Sequence, residues 1–315
     1  MHKPLVVRLC NWIGDVVLSL PALRLLEANG YELLLYGKGW APTVLSGSGW
    51  PVTVRDKTLG GRVAQLKALH AQLRQGRGRV EALAMPNSFS SAAELRLANF
   101  RVAGYARDGR GLLLSKRLPA GTGPHAVESF WAQACGMTGQ NLPVPRSLDL
   151  PIADAARTQG QAVAREHAGD GGYICIAPFA AGTVHKMPKK WPGFPAFVAQ
   201  LANQGLPMLI CPGPGETEEA RALYPQARII QNLALDAYAA LLAGSRLVVA
   251  NDTGPAHIAA AVGAPVISVL GPTKVEQWAP WGPNVTILSQ RPDWPEMAQV
   301  LATARQTLNG TAPGR

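Results

Sequence analysis

The sequence contains no apolar run long enough to cross a bilayer. Its most apolar stretch, residues 257–270, is interrupted by Gly263 and Pro265, and it falls short of the ~20 residues that a spanning helix needs. The N-terminus also lacks a signal-peptide pattern, because Arg8 and Asp15 interrupt it before a long apolar run forms. These absences predict a cytoplasmic protein.

The sequence contains few cysteines and none of the common catalytic motifs. The four cysteines form no C-x-x-C pair, and three of them lie in apolar, strand-like runs, which predicts buried thiols and counts against a zinc site or disulfide framework. The chain has no H-E-x-x-H, G-x-S-x-G or P-loop motif, and its six histidines are scattered. No metal site is therefore expected. The dinucleotide pattern G-x-G-x-x-G is absent as well, which counts against a nicotinamide-dependent oxidoreductase.

Acidic residues are few in the first half of the chain. Residues 1–150 carry 18 Lys and Arg against 9 Asp and Glu, whereas residues 151–315 carry 12 against 11. Nucleic acid, an anionic membrane surface, an acidic substrate or a simple need for solubility would each explain that excess. The aromatic residues do not interleave with the basic ones and no nucleic-acid module is present, so a nucleic-acid partner is not expected.

The pattern of apolar residues predicts two α/β domains. Residues 4–9, 15–29 and 31–36 follow a β-α-β order, which opens a doubly wound sheet. Later in this half, the pattern predicts a helix over 59–75 and a short strand at 112–114. Strands at 173–178, 207–211, 228–230, 247–250 and 265–270 alternate with helices in the second half. The proline-rich segment 140–153 is the expected linker, so the predicted domains are 1–150 and 151–315, with a terminal helix at 294–308 that packs back on the first domain. Two Rossmann-like domains facing across a cleft are typical of GT-B glycosyltransferases, and also of some dehydrogenases and binding proteins.

Three loops of the second half follow predicted strands and offer ligand-binding groups. In the string V-V-A-N-D-T-G-P-A-H (248–257), Asp252 and Thr253 are good helix caps, Gly254 permits close approach of a ligand, and His257 lies one turn further on. The helix start would therefore bind an anion, unless it is simply a well-capped helix. The loop 179–192 adds a hydroxyl and three lysines, which either suit a diphosphate or form a solvated basic loop. Glu216 begins another helix, where its carboxylate would either bind ribose hydroxyls or simply interact favourably with the positive end of the helix dipole.

The first half offers one comparable loop, N-W-I-G-D at residues 11–15. A carboxylate at a helix start stays ionised, as a general base must be, so Asp15 is either that base or an ordinary helix N-terminal residue.

Together these stretches resemble glycosyltransferase family 9, the bacterial ADP-heptose:lipopolysaccharide heptosyltransferases. The resemblance lies in N-W-I-G-D-V-V-L-S-L-P-A-L (11–23), K-K-W-P (189–192), N-D-T-G-P-A-H-I-A-A-A-V-G-A-P (251–265) and V-L-G-P-T (269–273). It implies an inverting GT-B enzyme that moves a heptose or related sugar from an ADP-sugar to a lipopolysaccharide inner-core acceptor. No obligatory cofactor is implied. Another nucleotide-sugar with a different glycan acceptor is the alternative.

The resemblance also implies roles for individual residues. Asp15 is the expected general base, and Lys189 the expected contact to the diphosphate, with Lys186 competing for that role. The implied donor-binding residues are Thr183, Lys186, Lys189, Glu216, Asp252, Thr253, Gly254 and His257. The implied acceptor-binding residues are Asn11, Gly14, Arg62, Arg96 and Arg117.

An anionic glycolipid acceptor would favour a basic first domain, which leads to the hypothesis of peripheral contact with the cytoplasmic face of the inner membrane. Candidate contributors to the basic surface are Arg62, Lys67, Arg96, Arg101, Arg107, Arg110, Lys116 and Arg117.

Overall fold

The computed structural model describes residues 3–74, 80–121, 123–184 and 186–310. These residues form two compact units, 1–145 and 146–315, each built on a parallel six-stranded sheet. This confirms the predicted α/β class with two doubly wound sheets.

The first unit places its strands in the order β3-β2-β1-β4-β5-β6. The strands are β1 Lys3–Arg8, β2 Tyr31–Gly37, β3 Val52–Val54, β4 Glu81–Ala84, β5 Arg101–Gly104 and β6 Lys116–Arg117. The helices are α1 Ile13–Leu18, α2 Leu20–Ala28, α3 Ala41–Val44, α4 Leu59–Arg74, α5 Phe89–Leu97 and α6 Ala126–Thr138, with a 3₁₀ turn at Arg110–Leu113. The central strands are buried on both sides, as expected where crossover helices cover a parallel sheet.

The second unit repeats this order as β11-β10-β7-β12-β13-β14. Its strands are β7 Ile174–Ala177, β10 Met208–Ile210, β11 Arg228–Ile229, β12 Leu247–Ala250, β13 Val266–Leu270 and β14 Val285–Ser289, and a small hairpin joins β8 Thr183–Val184 to β9 Met187–Pro188. Its helices are α7 Asp154–Ala168, α8 Phe194–Leu201, α9 Thr217–Leu223, α10 Leu235–Ala243, α11 Gly254–Ala261, α12 Val275–Trp278 and α13 Met297–Leu308, with a 3₁₀ turn at Ala202–Gln204. The terminal helix α13 packs on α8, β12 and β13 of this same unit.

Several predicted elements need correction. The helix expected over 15–29 is two helices that break at Ser19, since Pro21 has no N–H to continue the first helix. Residues 112–114, predicted as a strand, lie in and after a 3₁₀ turn, and the edge strand is β6 instead. The second sheet has six strands rather than the five predicted, because β14 was missed. The helix predicted over 59–75 ends at Arg74 among the described residues, and Gln75 lies outside them.

Candidate functional site

Strands β7 and β12 are neighbours at the point where the strand order of the second sheet reverses. Their last residues are in register, with Ala177 opposite Ala250. Ligands of doubly wound sheets bind beside the carboxyl ends of the strands at such a reversal. The loops that begin at Pro178 and Asn251 therefore start side by side at the expected ligand site.

Asn251 joins these two loops. Its side chain is fully buried; Oδ1 accepts a hydrogen bond of 2.9 Å from the Trp191 amide, and Nδ2 donates one of 2.5 Å to the Pro178 carbonyl. Because both side-chain polar atoms are used within the protein, Asn251 fixes the position of the Lys189–Trp191 segment against the end of β12.

Asp252 lies at the centre of a charged cluster. Its Oδ2 is 2.6 Å from the Lys189 ammonium and accepts a hydrogen bond of 2.7 Å from the Thr273 hydroxyl. The Nε2 atom of His257 lies 3.8 Å from Oδ1, which is beyond hydrogen-bond distance. Burial alone would raise the pKa of Asp252, but His257 and Lys189 outweigh it and lower the pKa to about 2. The carboxylate is therefore ionised at neutral pH.

Helix α11 starts directly beside this cluster. Thr253 is its N-cap residue, with an extended backbone and no side-chain hydrogen bond to the helix, and Pro255 lies in the first turn. The positive end of the helix dipole thus points to the ligand site without a side-chain cap. His257 is buried in the same helix, and its Nδ1 makes no hydrogen bond within the described part of the chain.

The basic loop before α8 separates its three lysines. Thr183 and Lys186 are exposed on the hairpin of β8 and β9, and Lys186 has a left-handed backbone with φ of 67°. Lys189 follows the hairpin and reaches Asp252, whereas Lys190 pairs with Glu219 at 3.1 Å. The structure therefore brings Lys189, and not Lys190, to the start of α11.

Glu216 has a structural contact of its own. It lies at the N-cap position of α9, and its Oε2 accepts a hydrogen bond of 2.8 Å from the Gly213 amide. One carboxylate oxygen thus closes the turn before the helix.

In the first unit, the predicted residues Asn11, Gly14 and Asp15 follow β1. Asn11 is exposed, while Gly14 and Asp15 are half-buried in the first turn of α1. This turn lies at the carboxyl edge of the first sheet, which is the edge equivalent to the one that carries Asp252 in the second unit.

Arg62, predicted to bind the acceptor, belongs to a buried cluster around Glu94. The Glu94 carboxylate accepts hydrogen bonds from Arg8 Nε at 2.7 Å and from Arg62 Nε at 2.8 Å. Arg55 Nη2 forms a longer ion pair with it at 3.7 Å. Arg8 and Arg55 also donate to Asn11 Oδ1, at 3.1 and 2.9 Å. The cluster therefore connects Arg62 to the loop that precedes Asp15.

The remaining predicted basic residues are spread over the unit. Arg96 lies in the last turn of α5. Because α5 runs from the carboxyl end of β4 back to the start of β5, Arg96 lies toward the amino edge of the sheet, whereas Asn11 lies at the carboxyl edge. Arg117 is exposed at the end of β6. Arg110 is fully buried and donates to the Tyr105 carbonyl at 2.6 Å, so it does not contribute to an exposed basic surface as predicted.

Thr273 and Glu94 were not among the predicted site residues, and Asn251 was predicted only as part of the string 248–257. Thr273 lies 21 residues after Asp252, and the only signal for it was the run V-L-G-P-T after a strand. Glu94 offers no signal in the sequence, since its arginine partners come from three other segments. Among the described residues no group of three or more His, Cys, Asp or Glu is placed to hold a metal ion, and no described helix is long and apolar enough to cross a membrane.

Comparison with known proteins identifies similar chains. The model of glycosyltransferase family 9 (heptosyltransferase) matches residues 68–305. Lipopolysaccharide heptosyltransferase 3 of Escherichia coli is 30% identical over 174 residues, which cover 52% of this chain and 49% of that protein. The chain thus spans about half the length of this curated relative.

Two solved structures share the fold over almost the whole chain. E. coli ADP-heptose lipopolysaccharide heptosyltransferase II has a TM-score of 0.79 at 19% identity, with 98% of this chain and 99% of that chain covered. E. coli heptosyltransferase WaaC with ADP has a TM-score of 0.76 at 21% identity, with 98% and 100% covered. These likenesses confirm the predicted GT-B fold.

Proposed function

Since the chain belongs to glycosyltransferase family 9, we propose that it transfers a heptose or related sugar from an ADP-sugar to a lipopolysaccharide inner-core acceptor. The observation that carries the proposal is the cluster of Asp252, Lys189 and His257 at the uncapped start of α11. The similar structure that contains ADP supports ADP as the nucleotide of the donor.

The donor diphosphate would bind at this helix start. Lys189 and the positive end of α11 supply positive charge for its oxygens, and Gly254 has no side chain to obstruct them. Asp252, held ionised by its neighbours, would accept hydrogen bonds from sugar hydroxyls. We assign Thr183 to the phosphates and Glu216, through its second carboxylate oxygen, to the ribose.

Transfer would proceed by direct displacement with inversion. The acceptor hydroxyl oxygen forms a bond to the anomeric carbon while the bond from that carbon to the diphosphate oxygen breaks. Asp15 takes the hydroxyl proton, and ADP leaves with an additional negative charge. Lys189 stabilises this charge more in the transition state than in the ground state, which is how a fixed cation accelerates the reaction.

The acceptor would be an anionic glycolipid bound by the basic first unit. Asn11, Gly14, Arg62 and Arg117 are the residues assigned to it, whereas Arg96 lies toward the opposite edge of the sheet and is not assigned to it. The excess of positive charge in residues 1–150 supports this assignment, and it also supports peripheral contact with the cytoplasmic face of the inner membrane.

Binding and turnover of an Asp15→Asn variant test the proposal. ADP-sugar should raise the melting temperature of the wild type and of the variant equally, and more than UDP- or GDP-sugars do. Turnover of the variant should fall by about 10²–10⁴-fold, the usual contribution of a general base. A larger shift with UDP- or GDP-sugars would overturn the assigned nucleotide, and full turnover by the variant would overturn the assigned base.

A further inference from the structure

The most highly charged buried cluster described in the first unit is centred on Glu94. This carboxylate is almost fully buried on α5, and three guanidinium groups surround it. They come from separate segments: Arg8 from the end of β1, Arg55 from the residue after β3, and Arg62 from α4. Glu94 therefore connects these three segments through ion pairs with their arginines.

A single carboxylate among three arginines has a strong effect on all of them. Hydrogen bonds between ionised groups are about twice as strong as neutral ones, and a buried charge that loses its partner is costly. Burial and then Arg8 lower the pKa of Arg55, while Glu94 acts in the opposite direction. Without the Glu94 charge, the guanidinium groups would repel one another and move apart.

Two of these arginines converge on one atom of the neighbouring loop. Arg8 and Arg55 both donate to Asn11 Oδ1, and Arg8 also donates to the Leu9 carbonyl. Asn11 directly precedes Trp12, whose carbonyl accepts the first hydrogen bond of α1, from Val16. Arg8 and Arg55 thus hold the residue that directly precedes the first turn of α1, which carries Asp15.

We propose that Glu94 is a positioning residue for the reaction: through Arg8, Arg55 and Asn11 it fixes the loop that carries Asp15. This inference rests on the proposed role of Asp15 as general base. Glu94 itself lies one layer of side chains behind that loop and is assigned no contact with the substrates.

The test compares Glu94→Gln with Glu27→Gln. The first substitution keeps the shape of the side chain but removes its charge. The second makes the same change at an exposed carboxylate of the same unit, which accepts a hydrogen bond from Trp50 Nε1 at 2.9 Å. Both full-length variants are measured by hydrogen–deuterium exchange and by steady-state transfer. Glu94→Asp, which keeps the charge but shortens the side chain, is the second variant if Glu94→Gln does not fold.

We expect faster exchange at residues 9–16 in Glu94→Gln and unchanged exchange there in Glu27→Gln. The kcat of Glu94→Gln should fall roughly 10- to 100-fold, the order expected when a catalytic group is misplaced by about 1 Å, while the KM for the donor changes less than about threefold because the donor is assigned to the other unit. Glu94→Asp should shift both measurements in the same direction by less. A purely structural role would lower stability without this separation of kcat from KM.

A double-mutant cycle identifies the route. If Glu94 acts through Asn11, the double variant Asn11→Ala/Glu94→Gln should be no slower than the slower single variant, whereas independent effects would multiply. Unchanged exchange at residues 9–16 in folded Glu94→Gln would overturn the positioning role. Absence of sugar transfer by the wild type would instead overturn the proposed function, and the exchange measurement would still decide the role of Glu94.

Discussion

Lys189 and Lys186 differ in their surroundings although only two residues separate them. Lys189 is partly covered and lies 2.6 Å from Asp252, whereas Lys186 is exposed on the hairpin. A lysine already held at the start of α11 loses little side-chain freedom when a diphosphate binds there. We therefore assign the phosphate contact to Lys189.

Replacing each lysine by methionine separates the two assignments. Lys189→Met should weaken ADP binding about 10- to 100-fold, the value of a hydrogen bond to a charged group, while Lys186→Met should change it less than about twofold. Isothermal titration calorimetry gives both values, and melting temperatures show whether Asp252 tolerates the loss of its partner. A larger loss in Lys186→Met would move the phosphate contact to the hairpin.

The depressed pKa of Asp252 predicts a pH dependence of stability. The pKa lies at about 2 in the folded chain against an ordinary value of 3.8, so the native state favours the ionised carboxylate. This stabilisation is complete above pH ~4 and disappears as the pH falls through about 2; its size is about 2 kcal/mol. The difference in unfolding free energy between the wild type and Asp252→Asn should therefore shrink over that range.

Urea unfolding at several pH values measures this difference. Asp170→Asn, which changes an exposed carboxylate of the same unit, serves as the control. An equal difference between Asp252→Asn and the wild type at pH 5 and near pH 2 would contradict the assigned pKa.

Residues next to a strand end could be predicted from the sequence, and residues brought in by tertiary contacts could not. Asp252, Thr253 and Gly254 follow a clear strand-to-helix transition, so their place at a helix start was predictable. Thr273 reaches Asp252 only because β12 and β13 are neighbours. That pairing cannot be read from local spacing.

At the scale of elements, strands that are fully buried were predicted best. The fully buried strand β12 has the predicted bounds, and the fully buried strand β13 begins one residue later than predicted. Helix α7 was missed because Val163 is its only large apolar residue, and only Ala156 and Gly160 of its fifteen residues are buried. Strand β14 was missed because most of it is only half-buried.

Gly160 permits the close packing of α7 against α10. A Cβ atom at this position would lie 2.6 Å from Ala240 Cβ and 2.7 Å from the Ala237 carbonyl oxygen. Gly160→Ala should therefore force the helices apart and destabilise the chain by about 1–3 kcal/mol. Gly60, the second residue of α4, has no atom within 4 Å of its Cβ position, so Gly60→Ala should stabilise the chain by about 0.4–1 kcal/mol, chiefly by reducing the entropy of the unfolded chain.

Urea unfolding of both variants gives the two values. The opposite signs separate the packing effect from the higher helix propensity of alanine, which the two substitutions share. Stabilisation by Gly160→Ala would show that α7 can move away from α10 at no cost.

At the scale of the whole molecule, the positive charge is concentrated in one half of the chain. Residues 1–150 have an excess of 9 positive charges, and residues 151–315 an excess of 1. The two halves correspond closely to the two compact units, whose boundary lies at residues 145 and 146. An anionic surface would thus attract the first unit much more strongly than the second.

This asymmetry predicts salt-sensitive binding of the full chain to anionic vesicles. In flotation experiments, the protein should float with phosphatidylglycerol vesicles at low salt and remain behind at high salt, because exposed charges are screened beyond about 10 Å at 0.1 M ionic strength. It should not float with vesicles of phosphatidylcholine alone.

Arg101→Glu/Arg117→Glu, which reverses two exposed charges of the first unit, should reduce flotation. Arg157→Glu/Arg165→Glu, which makes the same change on exposed positions of α7, should reduce it less. Equal losses in the two variants would mean that net charge alone attracts the protein to the membrane, and binding insensitive to salt would exclude an electrostatic origin.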